Sequence, residues 1–287
     1  MIAAKIFSGE KFELESGNHL PALEIAYHTW GDLSPEKDNV IWVCHALTAN
    51  SNVAEWWPGL FGEQDYFNPR DYFIVCANIV GSCYGTTGPL SVNPESEQPW
   101  YGSFPAITVR DMVKAHQLLA DHLGIGQIHM VMGGSLGGQQ SMEWALSQPE
   151  RIEHAILIAT NAVHSPWGIA FNETQRMALL ADETFGNPSP TAGAKGLKTA
   201  RAIAMLSYRN YKTYERTQTD EDRSRLDDYR ASSYQQYQGQ KLVNRFNAYS
   251  YWTLSRTMDT HDIGRGRGGA GKALQGIKAR TLVIGIS

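Results

Sequence analysis

Two glycines, a serine and two more glycines flank a single leucine in Gly133-Gly134-Ser135-Leu136-Gly137-Gly138. They stand between an apolar run, "IHMVMG" (128–133), and a helix-patterned stretch, "LGGQQSMEWALSQ" (136–148). The pattern G-x-S-x-G in that context holds a serine on a sharp strand-to-helix turn, where its hydroxyl can act as a nucleophile in acyl transfer. Glycine is needed at the flanking positions because a Cβ there would collide with the neighbouring strand or helix. The helix N-terminus adds free N–H groups and the positive end of the helix dipole. The N–H of Leu136 is one expected donor to an oxyanion. A second donor is expected from the loop after an earlier strand. "CHALTAN" (44–50) fits, with Leu47 supplying the N–H. His45 precedes the serine, whereas the base of such a site follows it, so His45 is read as structural.

The elements that must position these residues follow from patterning. Residues 12–30 alternate around a turn signal at Gly17-Asn18 and read as a hairpin. "NVIWVCH" (39–45), "DYFIVCAN" (71–78), "HAILIAT" (154–160) and "ARTLVIGIS" (279–287) read with 128–133 as strands, several of them buried on both faces as in a parallel sheet. Residues 108–124 form an amphipathic helix with Thr108 as N-cap and Gly124 as stop. The strand–helix alternation predicts an α/β fold with a mostly parallel sheet. Residues 165–255 break that rhythm and are expected to be a helical lid, inserted into a core of 1–164 and 256–287. Within it, "RTQTDEDRSRLDDYR" (216–230) reads as a solvated helix face or loop. "YSYWTL" (249–254) reads as large rings near the surface that mark an interface.

Bulk properties exclude several classes. A net charge of −4 gives no reason to expect a nucleic-acid or membrane partner. Cys44, Cys76 and Cys83 are the only cysteines, too sparse for a disulfide framework and without metal-ligand spacing; a cytoplasmic protein with no metal or cofactor is expected.

The segments "HALTAN" (45–50), "GSCYGTTGP" (81–89), "GGSLGG" (133–138), "YQGQKLVNRFNAYSY" (237–251) and "HDIGRGRGG" (261–269) together resemble the homoserine O-acetyltransferase family of the α/β-hydrolase superfamily. The resemblance runs from about residue 5 to the end. It implies a ping-pong reaction in methionine biosynthesis. Ser135 takes acetyl from acetyl-CoA and passes it to the side-chain hydroxyl of L-homoserine. Leu47 and Leu136 form the oxyanion hole. Arg201 falls where the family has its substrate-carboxylate arginine, and a guanidinium can fork onto a carboxylate. Tyr208, seven residues on, is placed in the same pocket. A homodimer through the lid helices is also implied. A serine esterase, a transferase using succinyl-CoA or serine, and a non-catalytic homologue remain alternatives.

The family carries an aspartate just beyond the "VIGIS"-like strand and a histidine further on. Here the sequence stops at Ser287, and His261-Asp262 lies before the last strand, misplaced for both roles. The 287 residues thus read as lacking the acid, the base and the final strand and helix, and by themselves are expected to be inactive and prone to aggregate.

Overall fold

The structure, a computed structural model, describes residues 5–286. Ser287, the end of the expected last strand, lies outside them. Seven strands form the main sheet: β1 (Lys5–Gly9), β2 (Leu23–Trp30), β3 (Val40–Cys44), β4 (Phe73–Ala77), β5 (Ile128–Gly134), β6 (Ile152–Ile158) and β7 (Arg280–Ile284). Their order is β1-β2-β4-β3-β5-β6-β7. From β4 to β7 every pair is parallel, while β1 and β2 are antiparallel additions at one edge. β3 and β4 are buried at every residue, which explains their unbroken apolar runs. The expected hairpin at 12–30 is divided: Phe12–Glu13 pairs with His19–Leu20 across the Gly17 turn, and β2 goes on to join the main sheet.

Helix α1 (Val109–His122) starts on the expected N-cap. The Thr108 hydroxyl accepts from the Asp111 N–H, and the Asp111 carboxylate accepts from the Thr108 N–H, a reciprocal capping box. Helix α2 (Leu136–Ser147) follows β5 directly. Between β6 and β7 come α3 (Pro166–Leu180), α4 (Ala194–Ser207), α5 (Tyr211–Gln218), α6 (Arg230–Val243) and α7 (Ala248–Asp259). Residue 255, expected to end the helical block, falls inside α7. The two ends of this segment are zipped together. The His164 N–H donates to the His261 carbonyl at 2.9 Å and the Ile263 N–H to the Ala162 carbonyl at 3.0 Å. The segment is therefore rooted beyond the C-terminal end of β6, the same sheet edge on which α2 begins.

Two expectations about apolar stretches change. The rings of "YSYWTL" are not a surface patch: Tyr249, Tyr251 and Leu254 are buried, with Tyr249 stacked on Phe185. α7 packs against α3 and α4, and its apolar stripe faces inward. β7, apolar enough for a sheet centre, pairs only with β6 among the described residues and leaves Leu282, Val283 and Ile284 exposed.

The "HDIGRGRGG" stretch is a clamp. The Arg267 guanidinium forks onto the Glu143 carboxylate of α2, at 2.7 and 2.5 Å. Arg265 and Arg110 both bind Glu15, next to the Phe12–Glu13 hairpin strand. Glu143 is only 3% exposed. Arg267→Ala would leave that carboxylate buried and short of its main partner, and removing one member of such a pair costs about 3–5 kcal/mol. We expect the variant's thermal midpoint to fall by about 10 °C, measurable by calorimetry.

Candidate active site

Ser135 sits at φ 54°, ψ −122°, in the left-handed region of φ that non-glycine residues rarely occupy. Three contacts hold it there. Its N–H donates to the Ile158 carbonyl of β6 at 2.9 Å, and its carbonyl accepts from the Thr160 hydroxyl at 2.9 Å and from the Gln139 N–H at 3.1 Å. The strain is thus maintained by the two adjoining elements, as at other sharp functional turns. The residue is exposed, and among the described residues none hydrogen-bonds its hydroxyl.

The flanking glycines are explained by distance. A Cβ on Gly137 would lie 2.0 Å from the Cys44 carbonyl oxygen, and one on Gly133 would lie 2.4 Å from the Gly137 backbone. The start of α2 therefore rests directly on the end of β3. Gln140 fastens this contact: its side-chain amide donates to the carbonyls of His45 (3.2 Å) and Leu136 (3.1 Å). Residues 44 and 45, which lead into the Leu47 loop, are thereby held against the first turn of α2. Neither the Leu47 N–H nor the Leu136 N–H has a hydrogen-bond partner among the described residues. Both residues are buried, and a buried N–H is rarely left unpaired.

His45 is fully buried and fixed in one tautomer. Nε2 accepts from the Ile79 N–H at 3.2 Å, so Nδ1 carries the proton and donates to the Ala46 carbonyl at 2.8 Å. Burial pushes its pKa down to about 4. It is a neutral strut of the loop, as its position before the serine suggested. His261 is similarly engaged, Nε2 against the Asn161 carbonyl at 3.1 Å, and burial lowers its pKa to about 4.

Arg201 and Tyr208 meet each other, with the guanidinium 5.5 Å from the ring centroid and Tyr208 capping the end of α4. Tyr208 keeps 57% of its surface exposed. Its phenol pKa is nonetheless raised by desolvation, with Arg201 opposing the rise. Arg201 has no carboxylate partner among the described residues.

Sequence reading missed Gln140, Thr160 and Arg245 as supports of this site. Gln140 was within reach of helical arithmetic, because it stands one turn after Leu136 on the same face. Nothing in the sequence marked the other two. The described residues contain one trio with metal-ligand spacing, His129, Glu153 and His154, at the start of β5 and β6 and so at the opposite end of the strands from Ser135. These donors already satisfy one another: His129 pairs with Glu153 at 3.0 Å, and His154 bonds the His129 carbonyl at 3.1 Å. A cavity of about 270 Å³ lies away from the serine, between Tyr101, Phe104, Phe185, Tyr249 and Trp252. Among the described residues no helix is long and apolar enough to cross a membrane.

Comparison with known proteins agrees with this geometry. Residues 39–265 match the family model described as the alpha/beta hydrolase fold. The chain is 55% identical over 277 residues to the homoserine O-acetyltransferase of Cyclobacterium marinum, covering 96% of this chain and 79% of the relative. The crystal structure of homoserine O-acetyltransferase from Bacillus anthracis superposes with a TM-score of 0.89 at 24% identity, over 99% of this chain and 83% of that one. An acetylester hydrolase from Corynebacterium glutamicum shares the fold with a TM-score of 0.86 at 24% identity, over 99% of this chain and 80% of that one. A strained serine on a strand-to-helix elbow, on a sheet of this order and in a chain this close to its relatives, leads to one family: the protein belongs to the homoserine O-acetyltransferases, built on the α/β-hydrolase fold.

Proposed function

We propose that the protein transfers acetyl from acetyl-CoA to the side-chain hydroxyl of L-homoserine in two steps. In the first, Ser135 Oγ attacks the thioester carbonyl, the C–S bond breaks, and CoA leaves as the thiol carrying the serine proton. In the second, the homoserine hydroxyl attacks the acetyl-serine, forming O-acetylhomoserine and restoring the serine. The negative oxygen of each tetrahedral intermediate is held by the N–H groups of Leu47 and Leu136. The observation that carries this reading is Ser135 at φ 54° at the start of α2, with the N–H groups of the buried residues Leu136 and Leu47 left without partners among the described residues. The product is a precursor for methionine synthesis in the cytoplasm. The acid and base are the aspartate and histidine that the family pattern puts after β7.

The helical segment is the lid, and its α4 supplies Arg201 for the homoserine carboxylate, with Tyr208 lining the pocket beside it. The same segment joins two copies of the protein, which would cover exposed rings such as Trp167 and Tyr211. The test uses a chain of the length of its relatives, mixed with acetyl-CoA. Intact-mass measurement should find one acetyl group on Ser135, discharged by homoserine faster than by water. Discharge by water alone would make the protein an esterase. Arg201→Ala should raise the KM for homoserine by about a hundredfold, the value of a lost charge-assisted fork, and leave the acetylation half-reaction unchanged. Arg201→Lys should recover only part of the loss.

A further inference from the structure

We infer that Arg245 is a positioning residue for the oxyanion hole: it fastens the loop carrying the Leu47 N–H to the helical segment. The inference rests on the reading of Ser135 and Leu47 given above. It comes from accounting for the backbone groups of residues 45–51. The His45 carbonyl accepts from Gln140, and the Ala46 carbonyl from His45 Nδ1 (2.8 Å) and the Ala49 N–H (3.0 Å). The Asn50 carbonyl accepts from Trp56 Nε1 at 3.0 Å, and the Ser51 N–H donates to Asn78 Oδ1 at 2.8 Å. All these partners lie outside the helical segment, in α2 and in the loops that follow the sheet strands. Ala46 and Ala49 close a turn with Leu47 and Thr48 at its centre. The carbonyl of Thr48 goes elsewhere: it accepts from Arg245 Nη1.

Arg245 lies between α6 and α7, and its Nη1 is also 2.5 Å from the Tyr84 hydroxyl. The Arg245 backbone is tied to the same region, because its carbonyl accepts from Cys83 Sγ at 3.7 Å. The arginine therefore links the downstream half of the turn to "GSCYG" and to the helical segment at once. On its other side, α6 is packed against α4 at backbone contact. A Cβ on Gly239 would lie 2.6 Å from the Lys198 carbonyl oxygen, one turn before Arg201. The helix proposed to hold the acceptor is thus connected by rigid contacts to the loop proposed to hold the oxyanion. An oxyanion donor works only if it is aimed where charge develops, and a peptide in a turn can rotate unless its neighbours are pinned. Arg245 pins the Thr48–Ala49 peptide, the last of the turn.

The test measures Arg245→Ala in a chain of the length of its relatives. Two quantities are read: single-turnover acetylation by acetyl-CoA, and affinity for methylboronic acid, which adds to a serine oxygen as a tetrahedral anion. We expect the acetylation rate and the boronate affinity to fall together, by about ten- to a hundredfold, with the KM for acetyl-CoA within about twofold of the parent. Arg245→Lys, which can still reach one carbonyl, should recover part of both. If Arg245→Ala fails to fold, Tyr84→Phe removes the second anchor of the guanidinium and should lower both quantities by a smaller common factor. A rise in KM with boronate affinity unchanged would make Arg245 a donor-binding residue and overturn the proposal, as would variants that match the parent in both readouts. A parent that takes up no boronate overturns the Ser135 reading, and this one with it.

Discussion

Ser135→Ala is expected to lower turnover by about 10⁴- to 10⁶-fold, the scale seen when the nucleophile of a serine enzyme is removed. The loss should fall on acetylation itself, because no bond to the acetyl carbon can form without Oγ. Binding should survive. Arg201 and the oxyanion N–H groups are untouched, so homoserine should still protect the variant against thermal unfolding. The backbone adds a twist. Ser135 is held at φ 54° by Ile158, Thr160 and Gln139, and alanine keeps the Cβ that makes that conformation strained. Ser135→Gly, free of a Cβ, should therefore be the more stable of the two inactive variants. The checks are a turnover assay with intact-mass detection of acetyl-enzyme, and calorimetry of both variants. An acetyl group appearing instead on Cys44, Cys76 or Cys83 would remove Ser135 from the mechanism.

Gly137→Ala should be the most damaging single methyl group that this protein can acquire near its site. The new Cβ would stand 2.0 Å from the Cys44 carbonyl oxygen, and both residues lie in regular structure, Gly137 in α2 and Cys44 at the end of β3. Relief requires α2 to slide off the end of β3. That move would separate Leu136 from Leu47 and break the Gln140 bridge. Overpacking of this kind costs about 3 kcal/mol or more, a large part of a domain's total stability. We expect a thermal midpoint lower by about 10 °C and acetyl transfer below detection. Gly271→Ala is the control. No atom lies within 4 Å of its Cβ position, and it sits in the short Ala270–Leu274 helix, where the exchange should be neutral or mildly stabilising.

The elbow was legible because its chemistry dictates local sequence: a strand, a strained serine and glycines at fixed offsets leave a short signature. The parallel strands were legible for a similar reason, since burial on both faces produces unbroken apolar runs. β1 carried no such mark; Ile6 and Ser8 are solvent-facing positions in a strand of five residues. β7 looked like a sheet centre because hydropathy records what a strand prefers and not what covers it. The rings of "YSYWTL" were misplaced through their charged neighbours in sequence, whereas α7 rotates them away from those neighbours and into the core. Arg245 was invisible for a deeper reason. It binds a main-chain carbonyl 197 residues away, and every residue has a carbonyl, so no residue type at position 48 announces the contact.

The clamp made by Arg265 and Arg267 has a consequence for the order in which the protein takes shape. Glu15 and Arg265 are 250 residues apart, and Glu143 and Arg267 are 124 apart. During synthesis the first hairpin and α2 leave the ribosome long before either arginine exists. Until residue 267 emerges, the Glu143 carboxylate has only Arg110 Nε at 3.8 Å and no bidentate partner, so settling α2 fully into its buried seat costs desolvation with little return. Contacts this far apart in the chain are the slow ones to form. The N-terminal hairpin should therefore close late although it is made early, held open to chaperones and proteases until the late loop arrives to fasten it.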